Sequence, residues 1–367
     1  MGKSSRVVVG LSGGVDSSVS AKLLVEAGYE VIGIFMKNWE DKDDPLCPAA
    51  IDAADARAVA DQLGIQFYSF NFAQEYWRDV FEDFLQAHRD GLTPNPDIWC
   101  NQYIKFKVFL EKAEELGADF LATGHYAKNY FNEKTGLQEL QIPEDKAKDQ
   151  TYFVYTLGQS QLQKVLFPLE DLDKSEVRRI AQEANFTNAN KKDSTGICFV
   201  GERNYSKFLQ EYLEKEPGDI IELETGRVLG QHIGLSFYTF GQRRELHIGG
   251  VKGAKESPWF VVNKNFDQNR LEVSQDENQL LTSELKAHKL TWVAGKAPDK
   301  TNLQARIRYR SEAVACEISS PDKGRCPAKR DGGVLRTTFA SPVRAVTPGQ
   351  SIVFYDGEIC LGGGIII

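Results

Sequence analysis

The sequence predicts an α/β protein: an N-terminal domain with a parallel sheet and helices on both faces, followed by two small β-rich domains, the last a β-barrel. Three observations predict it. Short apolar β-branched runs alternate with helix-periodic segments from residue 6 to about 125, the pattern of strand–helix–strand units in a parallel sheet. From about Gly218 short β-rich segments alternate with turns instead, as in small antiparallel barrels. A length of 367 residues exceeds what one hydrophobic core usually organises. The boundaries fall near 210 and 280, giving segments 1–210, 211–280 and 281–367.

Each element has a local reason. Val7, Val8 and Val9 read as a buried strand. Ser12-Gly13-Gly14 interrupts the run, and Val15, Val19, Leu23 and Leu24 resume it at helical spacing. Gly28 suits the residue that ends this helix. Tyr29 to Met36 reads as a second buried strand, Ala49 to Leu63 as a helix and Ile65 to Phe70 as a third strand. Gln74 to Arg89 is helical, Gly91 to Asn101 a loop punctuated by Pro and Asn, Ile104 to Leu116 a helix and Ala118 to Thr123 a strand. Lys148 to Glu183 reads as helical again, and Lys191 to Arg203 as a polar loop. The later strands are DIIEL, FVVNK, RLEVS, LQARIRYR, VACEI, VLRTTF and the tail QSIVFYDGEICLGGGIII.

Composition narrows the class. The chain is 41% hydrophobic and 26% charged, with a net charge of −8, an ordinary globular balance. No apolar run approaches the roughly eighteen residues of a membrane span. The start, MGKSSRVVVG, lacks a secretory core and enters the first strand at once, so the expected location is the cytoplasm. Six cysteines (Cys47, Cys100, Cys198, Cys316, Cys326, Cys360) form no CxxC pair, which disfavours a zinc site or a disulfide scaffold. The acidic balance argues against nucleic acid, yet Thr301 to Ala345 carries nine Lys/Arg against four Asp/Glu, so a basic face remains available.

Three stretches carry chemistry. In VVVGLSGGVDSS, strand, glycine turn and helix start follow in the order that builds an anion site. The first helical N–H groups have no intrahelical partner, and the helix dipole favours negative charge there. Gly13 and Gly14 allow close backbone approach, and Ser12, Ser17 and Ser18 offer hydroxyls. The turn matches neither GxxxxGK[ST] nor GxGxxG. A plain glycine turn joining strand to helix fits as well. In TPNPDIWCNQYIKF, Thr93 to Phe106, Cys100 sits just ahead of a helix, where a thiol loses its proton more readily; a small buried core cysteine also fits. In DSTGICFVGER, Cys198 lies near Lys191, Lys192 and Arg203, and spacing does not separate a reactive thiol from a core one. Arg306, Arg308 and Arg310 alternate and so share one face of a strand, which suits a phosphate track or a solvated face.

SGGVDS resembles the PP-loop of the ATP pyrophosphatases, which split ATP into AMP and pyrophosphate. With NPDIWCN and STGICFVGER, and with TGHYA, KDQTYF, FYTFGQRRE and VRAVTPGQSIVFY, the whole chain resembles the bacterial tRNA-specific 2-thiouridylases. Only the stretch Ser319 to Gly333 has no place in that pattern. The resemblance implies an adenine nucleotide alpha hydrolase-like N-terminal fold and a C-terminal tRNA-binding barrel. It implies ATP as substrate with Mg²⁺, and Gly10, Leu11, Ser12, Gly13, Gly14, Val15, Asp16, Ser17, Met36 and Gly124 around the nucleotide. Asp16 is the candidate near the cation, although charge complementation of the helix start also explains it; no resident metal site is expected. Asn95, Pro96 and Asp97 would meet the target uridine, with Cys100, Cys198 and Asp97 as the catalytic set. His125, Lys148, Asp149, Gln150, Arg308, Tyr309 and Gln350 would touch tRNA at its anticodon loop. Cys100 and Cys198 would pair in a transient disulfide, and a persulfide donor would load Cys198. The alternatives are another PP-loop pyrophosphatase, a nucleotide-regulated tRNA-binding protein without catalysis, and a sulfur carrier.

Overall fold

A computed structural model describes residues 4–39, 48–193, 205–249, 257–319 and 333–367. Cys47, Cys198 and Cys326, and with Cys198 the expected Cys100–Cys198 pairing, lie outside the described residues.

The N-terminal sheet is parallel and five-stranded. Its strands are β1 (Arg6–Gly10), β2 (Glu30–Lys37), β3 (Gln66–Asn71) and β4 (Phe120–Ala122), with β7 (Val165–Leu166) at the far edge. The order is β3-β2-β1-β4-β7. Val8 packs into the core on one face, while Val7 and Val9 pack on the other, as alternation in a strand covered on both sides requires. The chain goes from β1 outward to β2 and β3, then returns to place β4 on the opposite side of β1. That makes the carboxyl ends of β1 and β4 the switch point where open α/β sheets hold ligands. Helix α1 (Val15–Glu26) and helix α2 (Pro48–Leu63) cover one face, and Gly28 and Gly64 follow them at φ 86° and 67°, the left-handed conformation that ends helices.

Two stretches depart from expectation. Residues 148–183 are not one helical region. They hold short helices at Thr151–Val154 and Gln159–Leu162, strand β7, and then a capped helix, Lys174–Glu183. Gly158 is the N-cap of the second short helix, and Asp173 opens the last helix by accepting from Glu176 N at 2.9 Å, also an N-cap. The second departure is a hairpin of β5 (Lys128–Asn132) and β6 (Leu137–Gln141), turned at Gly136. It leaves the N-terminal sheet and pairs with the last strand of the chain.

The central sheet orders β10 (Phe260–Asn265), β11 (Arg270–Ser274), β8 (Gly218–Glu222) and β9 (Val228–His232). The C-terminal strands are β12 (Leu281–Trp292), β13 (Asn302–Arg306), β14 (Val314–Ser319), β15 (Leu335–Arg344), β16 (Ser351–Asp356) and β17 (Ile359–Ile366). They pair in the order β12-β15-β14-β13-β16-β17, and β17 pairs back onto β12. The sheet is therefore closed, which removes its edges. Cys316 and Cys360 are buried in these cores. Burial pushes the Cys316 thiol up to about 12 and raises that of Cys360 further, so both behave as small apolar residues.

Candidate active site

The loop from Ser12 to Ser17 forms a cradle at the end of β1. Gly13 has φ +76°, and a Cβ there would lie 2.3 Å from the Asp52 carbonyl oxygen, so only glycine fits. No side chain caps α1, whose N-cap is Gly14; its first N–H groups face the end of the sheet, where an anion is favoured. The loop is braced by serines. Ser12 N donates to Ser17 Oγ at 3.1 Å, and the Ser17 and Ser18 hydroxyls each donate to Gly14 O at 3.0 Å. Gly124, after β4, completes the wall: a Cβ there would sit 2.8 Å from Ser17 N. Met36 lies at the end of β2 and packs against the core.

A ring of charges surrounds the cradle, and sequence reasoning missed most of it. Lys174 Nζ reaches both Asp16 oxygens, at 2.7 and 2.8 Å, and Asp193 at 2.7 Å. Tyr126 donates its hydroxyl to Asp16 at 2.9 Å. Asp193 also pairs with Lys148 at 2.7 Å and Arg178 at 2.9 Å. Desolvation works against its charge, but hydrogen bonds from Lys148 and Lys174 outweigh it and hold the Asp193 carboxyl at about 2. Asn188 donates to Gly13 O and Ser18 Oγ, both at 2.9 Å, and Lys191 bridges Asp52, Asp55 and Gly13 O. These residues lie far along the chain from the loop they brace, so no local spacing announces them. Asp16 is engaged by a lysine and a tyrosine, which does not suit a cation ligand. Among the described residues no group of three or more His, Cys, Asp or Glu is arranged to hold a metal.

Cys100 does not sit in a loop ahead of a helix. The helical segment begins at Pro96 and runs to Glu115, with a π-helical stretch over Cys100–Val108 and a kink at Phe106. Asn95 is its N-cap, accepting from Asp97 N at 3.2 Å and Ile98 N at 3.4 Å. Asn-Pro-Asp is a helix-start signature, with a capping Asn, Pro in the first turn and an acid beside it; reading it as a turn alone hid the start. Cys100 is 1% exposed, inside the main core cluster. Its Sγ lies 4.0 Å from Asn38 Nδ2, just past the end of β2. The same helical segment seats Phe109 against Gly10, so thiol and cradle share one end of the sheet. π-Helical turns inside α-helices are frequent at functional sites.

The residues expected to touch tRNA have internal partners. His125 accepts or donates through Nδ1 to Thr123 Oγ1 at 2.8 Å and lies against Phe106 and Phe167; burial, with Lys105 nearby, holds its pKa well below the ordinary imidazole value. Gln150 Oε1 accepts from Tyr126 N at 2.9 Å. Asp149 is buried, accepts from Thr151 N and Oγ1, and pairs with Arg306 of the barrel. Arg308 donates to the carbonyls of Arg344 and Ala345. Tyr309 packs on Phe153, ring centroids 4.4 Å apart. Gln350 Nε2 donates to Thr93 O at 2.8 Å. The three arginines do not share a strand face: β13 ends at Arg306, and Arg310 adopts φ 63° in the turn beyond. Together these contacts seat the barrel on the N-terminal domain beside the Asn95–Cys100 segment.

Comparison with known proteins gives matches over all three parts. Residues 5–202 match a family model described as a tRNA methyl transferase HUP domain, 206–275 a tRNA methyl transferase PRC-barrel domain, and 282–366 an aminomethyltransferase beta-barrel domain. A tRNA-specific 2-thiouridylase MnmA of Paracidovorax citrulli is 51% identical over 98% of this chain and 96% of its own length. One of Francisella tularensis subsp. novicida is 50% identical over the whole of both chains.

Proposed function

The chain belongs to the tRNA-specific 2-thiouridylase family, and from that premise we propose that it replaces the C2 oxygen of a wobble uridine in tRNA by sulfur, using ATP. The observation that carries the reading is the shared position of the cradle and Cys100 at one end of the parallel sheet. A cradle lined by helix N–H groups serves phosphates, and a thiol beside it serves sulfur transfer. Neither feature is what a methyl transfer needs, which favours the thiolation named in the relatives over the methyl-transfer label on the family models.

The chemistry follows from the leaving group. Oxygen on C2 leaves poorly, so it first attacks the α-phosphorus of ATP; the O–P bond forms, and pyrophosphate departs from the cradle. The terminal sulfur of a persulfide on Cys198 then attacks C2, and AMP departs with the former uridine oxygen. The Cys100 thiolate attacks Cys198 Sγ and breaks the S–S bond. This releases 2-thiouridine and leaves a Cys100–Cys198 disulfide for an external dithiol to reduce. In the other route Cys100 first displaces the terminal sulfur as free sulfide, which attacks the same carbon. Disulfide formation needs the two Cα atoms about 4.4–6.8 Å apart. Cys100 is covered in the free protein, so tRNA binding has to open its surroundings. The target base has to leave its stack, which is easiest in a single-stranded loop such as the anticodon loop. Asn95, Pro96 and Asp97, one helical turn ahead of Cys100, would meet that base. The basic excess of the C-terminal segment supports phosphate contacts, with a tRNA affinity that falls steeply with salt.

A persulfide donor, either a cysteine desulfurase or a relay protein, and a cytoplasmic setting complete the reading. Among the described residues no helix is long and apolar enough to cross a membrane. The test is incubation with unmodified tRNA, ATP, Mg²⁺ and a cysteine desulfurase supplied with cysteine as the persulfide source, followed by nucleoside mass analysis. The expected result is 2-thiouridine with AMP as co-product. Pyrophosphate release without thiouridine would instead place the chain among the other PP-loop pyrophosphatases.

A further inference from the structure

The central domain has no residue in the chemistry just described, yet it holds the approach to the thiol segment. Helix residues Glu82–Arg89 end at Gly91, φ +75°, which lies under the Phe266 ring so closely that a Cβ would come within 2.1 Å of it. From there the chain runs through Leu92, Thr93 and Pro94 to the Asn95 cap. Its polar groups are tied to the other two domains. Lys264 Nζ donates to Gly91 O at 2.9 Å, and the Thr93 and Thr239 hydroxyls are 3.1 Å apart. Thr93 N donates to Pro348 O at 2.9 Å, while Gln350 Nε2 reaches the Thr93 and Pro94 carbonyls at 2.8 and 3.4 Å.

Lys264 is the unusual member. It is 7% exposed, and Gly91 O is its one hydrogen-bond partner among the described residues. Buried lysines are rare without a carboxylate. Burial pulls its pKa down to about 8. A device in the strand points it inward. Between Val261 and Asn263 the β10–β11 pairing slips by one residue, so Val261 pairs with Val273 and Lys264 with Leu271. Directly paired residues share a sheet face, and without this bulge Val261 and Lys264 would face opposite ways. The bulge therefore turns Lys264 onto the apolar side, towards Gly91.

We propose that Lys264 is a positioning residue for sulfur transfer: through the Gly91 carbonyl it fixes the path of residues 91–94 and thereby where Asn95, Asp97 and Cys100 stand relative to the extruded base. The inference rests on the thiolation reading. Displacement of a reacting group by an ångström costs on the order of 10²-fold in rate, and the hydrogen bond of Lys264 is to the Gly91 carbonyl rather than to Cys100. Full-length Lys264→Met and Lys264→Arg are assayed with unmodified tRNA, ATP, Mg²⁺ and a cysteine desulfurase supplied with cysteine as the persulfide source, beside Thr239→Val, which removes only the second tie from the same domain. Lys264→Met is expected to lower kcat by about 10–100-fold with ATP and tRNA dissociation constants unchanged. Lys264→Arg should recover most of the loss, and Thr239→Val should lower kcat by a smaller factor. A folded Lys264→Met with wild-type kcat overturns the proposal, as does a loss confined to tRNA affinity. If Lys264→Met does not fold, Thr239→Val decides, and an unchanged kcat there overturns it. Wild-type protein that makes no 2-thiouridine overturns the functional reading itself and this inference with it.

Discussion

The two halves of the active site are built in opposite ways. The phosphate cradle is a short loop between adjacent elements, β1 and α1, of one domain; distant residues brace it but do not shape it. The Asn95–Cys100 half begins with a local cap, but its approach is held by groups from the central domain and the barrel, at Lys264, Thr239, Pro348 and Gln350. One half is a sequence motif at the end of its own sheet. The other is reached through residues 91–94, whose polar groups are tied to the two later domains. Damage to the first should therefore appear in nucleotide binding, and damage to the second in chemistry or in assembly.

The largest effect that sharpens this contrast is at the thiols. With a persulfide donor as the only sulfur source, Cys100→Ser and Cys198→Ser should each abolish 2-thiouridine formation while ATP binding, measured by calorimetry, survives. Full activity in either variant would break the two-thiol scheme. Next comes domain docking. Asp149→Ala leaves Arg306 at a largely buried interface without its carboxylate, and breaking a buried pair from one side costs about 3–5 kcal/mol. A denaturant titration should show that loss, and Asp149→Ala with Arg306→Met together should cost less than Asp149→Ala alone. On the cradle side, Gly124→Ala brings a Cβ to 2.8 Å from Ser17 N and should weaken ATP binding by about tenfold, roughly 1.4 kcal/mol, with tRNA affinity kept. A loss of tRNA binding instead would erase the division of labour between the halves.

The smallest expected effect is in acid. The Asp193 carboxyl sits at about 2 in the folded protein against an ordinary 3.8. Its pairing with Lys148 and Lys174 thus contributes fully above the unfolded value and is lost as pH falls from about 4 towards 2. Asp193→Asn should flatten that part of a melting-temperature profile and leave it unchanged in shape near neutral pH.

What the sequence made legible follows the same division. Val7–Ser18 carries strand, turn, glycine and helix start within twelve consecutive positions, so periodicity and turn chemistry suffice. The strand-rich C-terminal half was legible for the same reason. The β5–β6 hairpin was not, because its partner is the last strand of the chain. Nor was the inward turn of Lys264, because alternation predicts its side only if the bulge before it is known. The Asn95 cap is legible in principle, but the two prolines dominate the local pattern and give it the look of a loop. Arg306 illustrates the opposite error: alternation with Arg308 and Arg310 suggested a common face, but the strand stops and Arg306 is drawn to Asp149. Tertiary charge pairing decided what spacing alone could not.

Cradle and thiol, on this reading, act on a single carbon of one base. The most direct measurement uses tRNA carrying ¹⁸O at C2 of the wobble uridine, turned over with ATP and a persulfide donor. The label is expected to move quantitatively into the phosphate of AMP as 2-thiouridine appears. AMP without label beside newly formed 2-thiouridine would contradict this reading, since the nucleotide would then have activated some other atom.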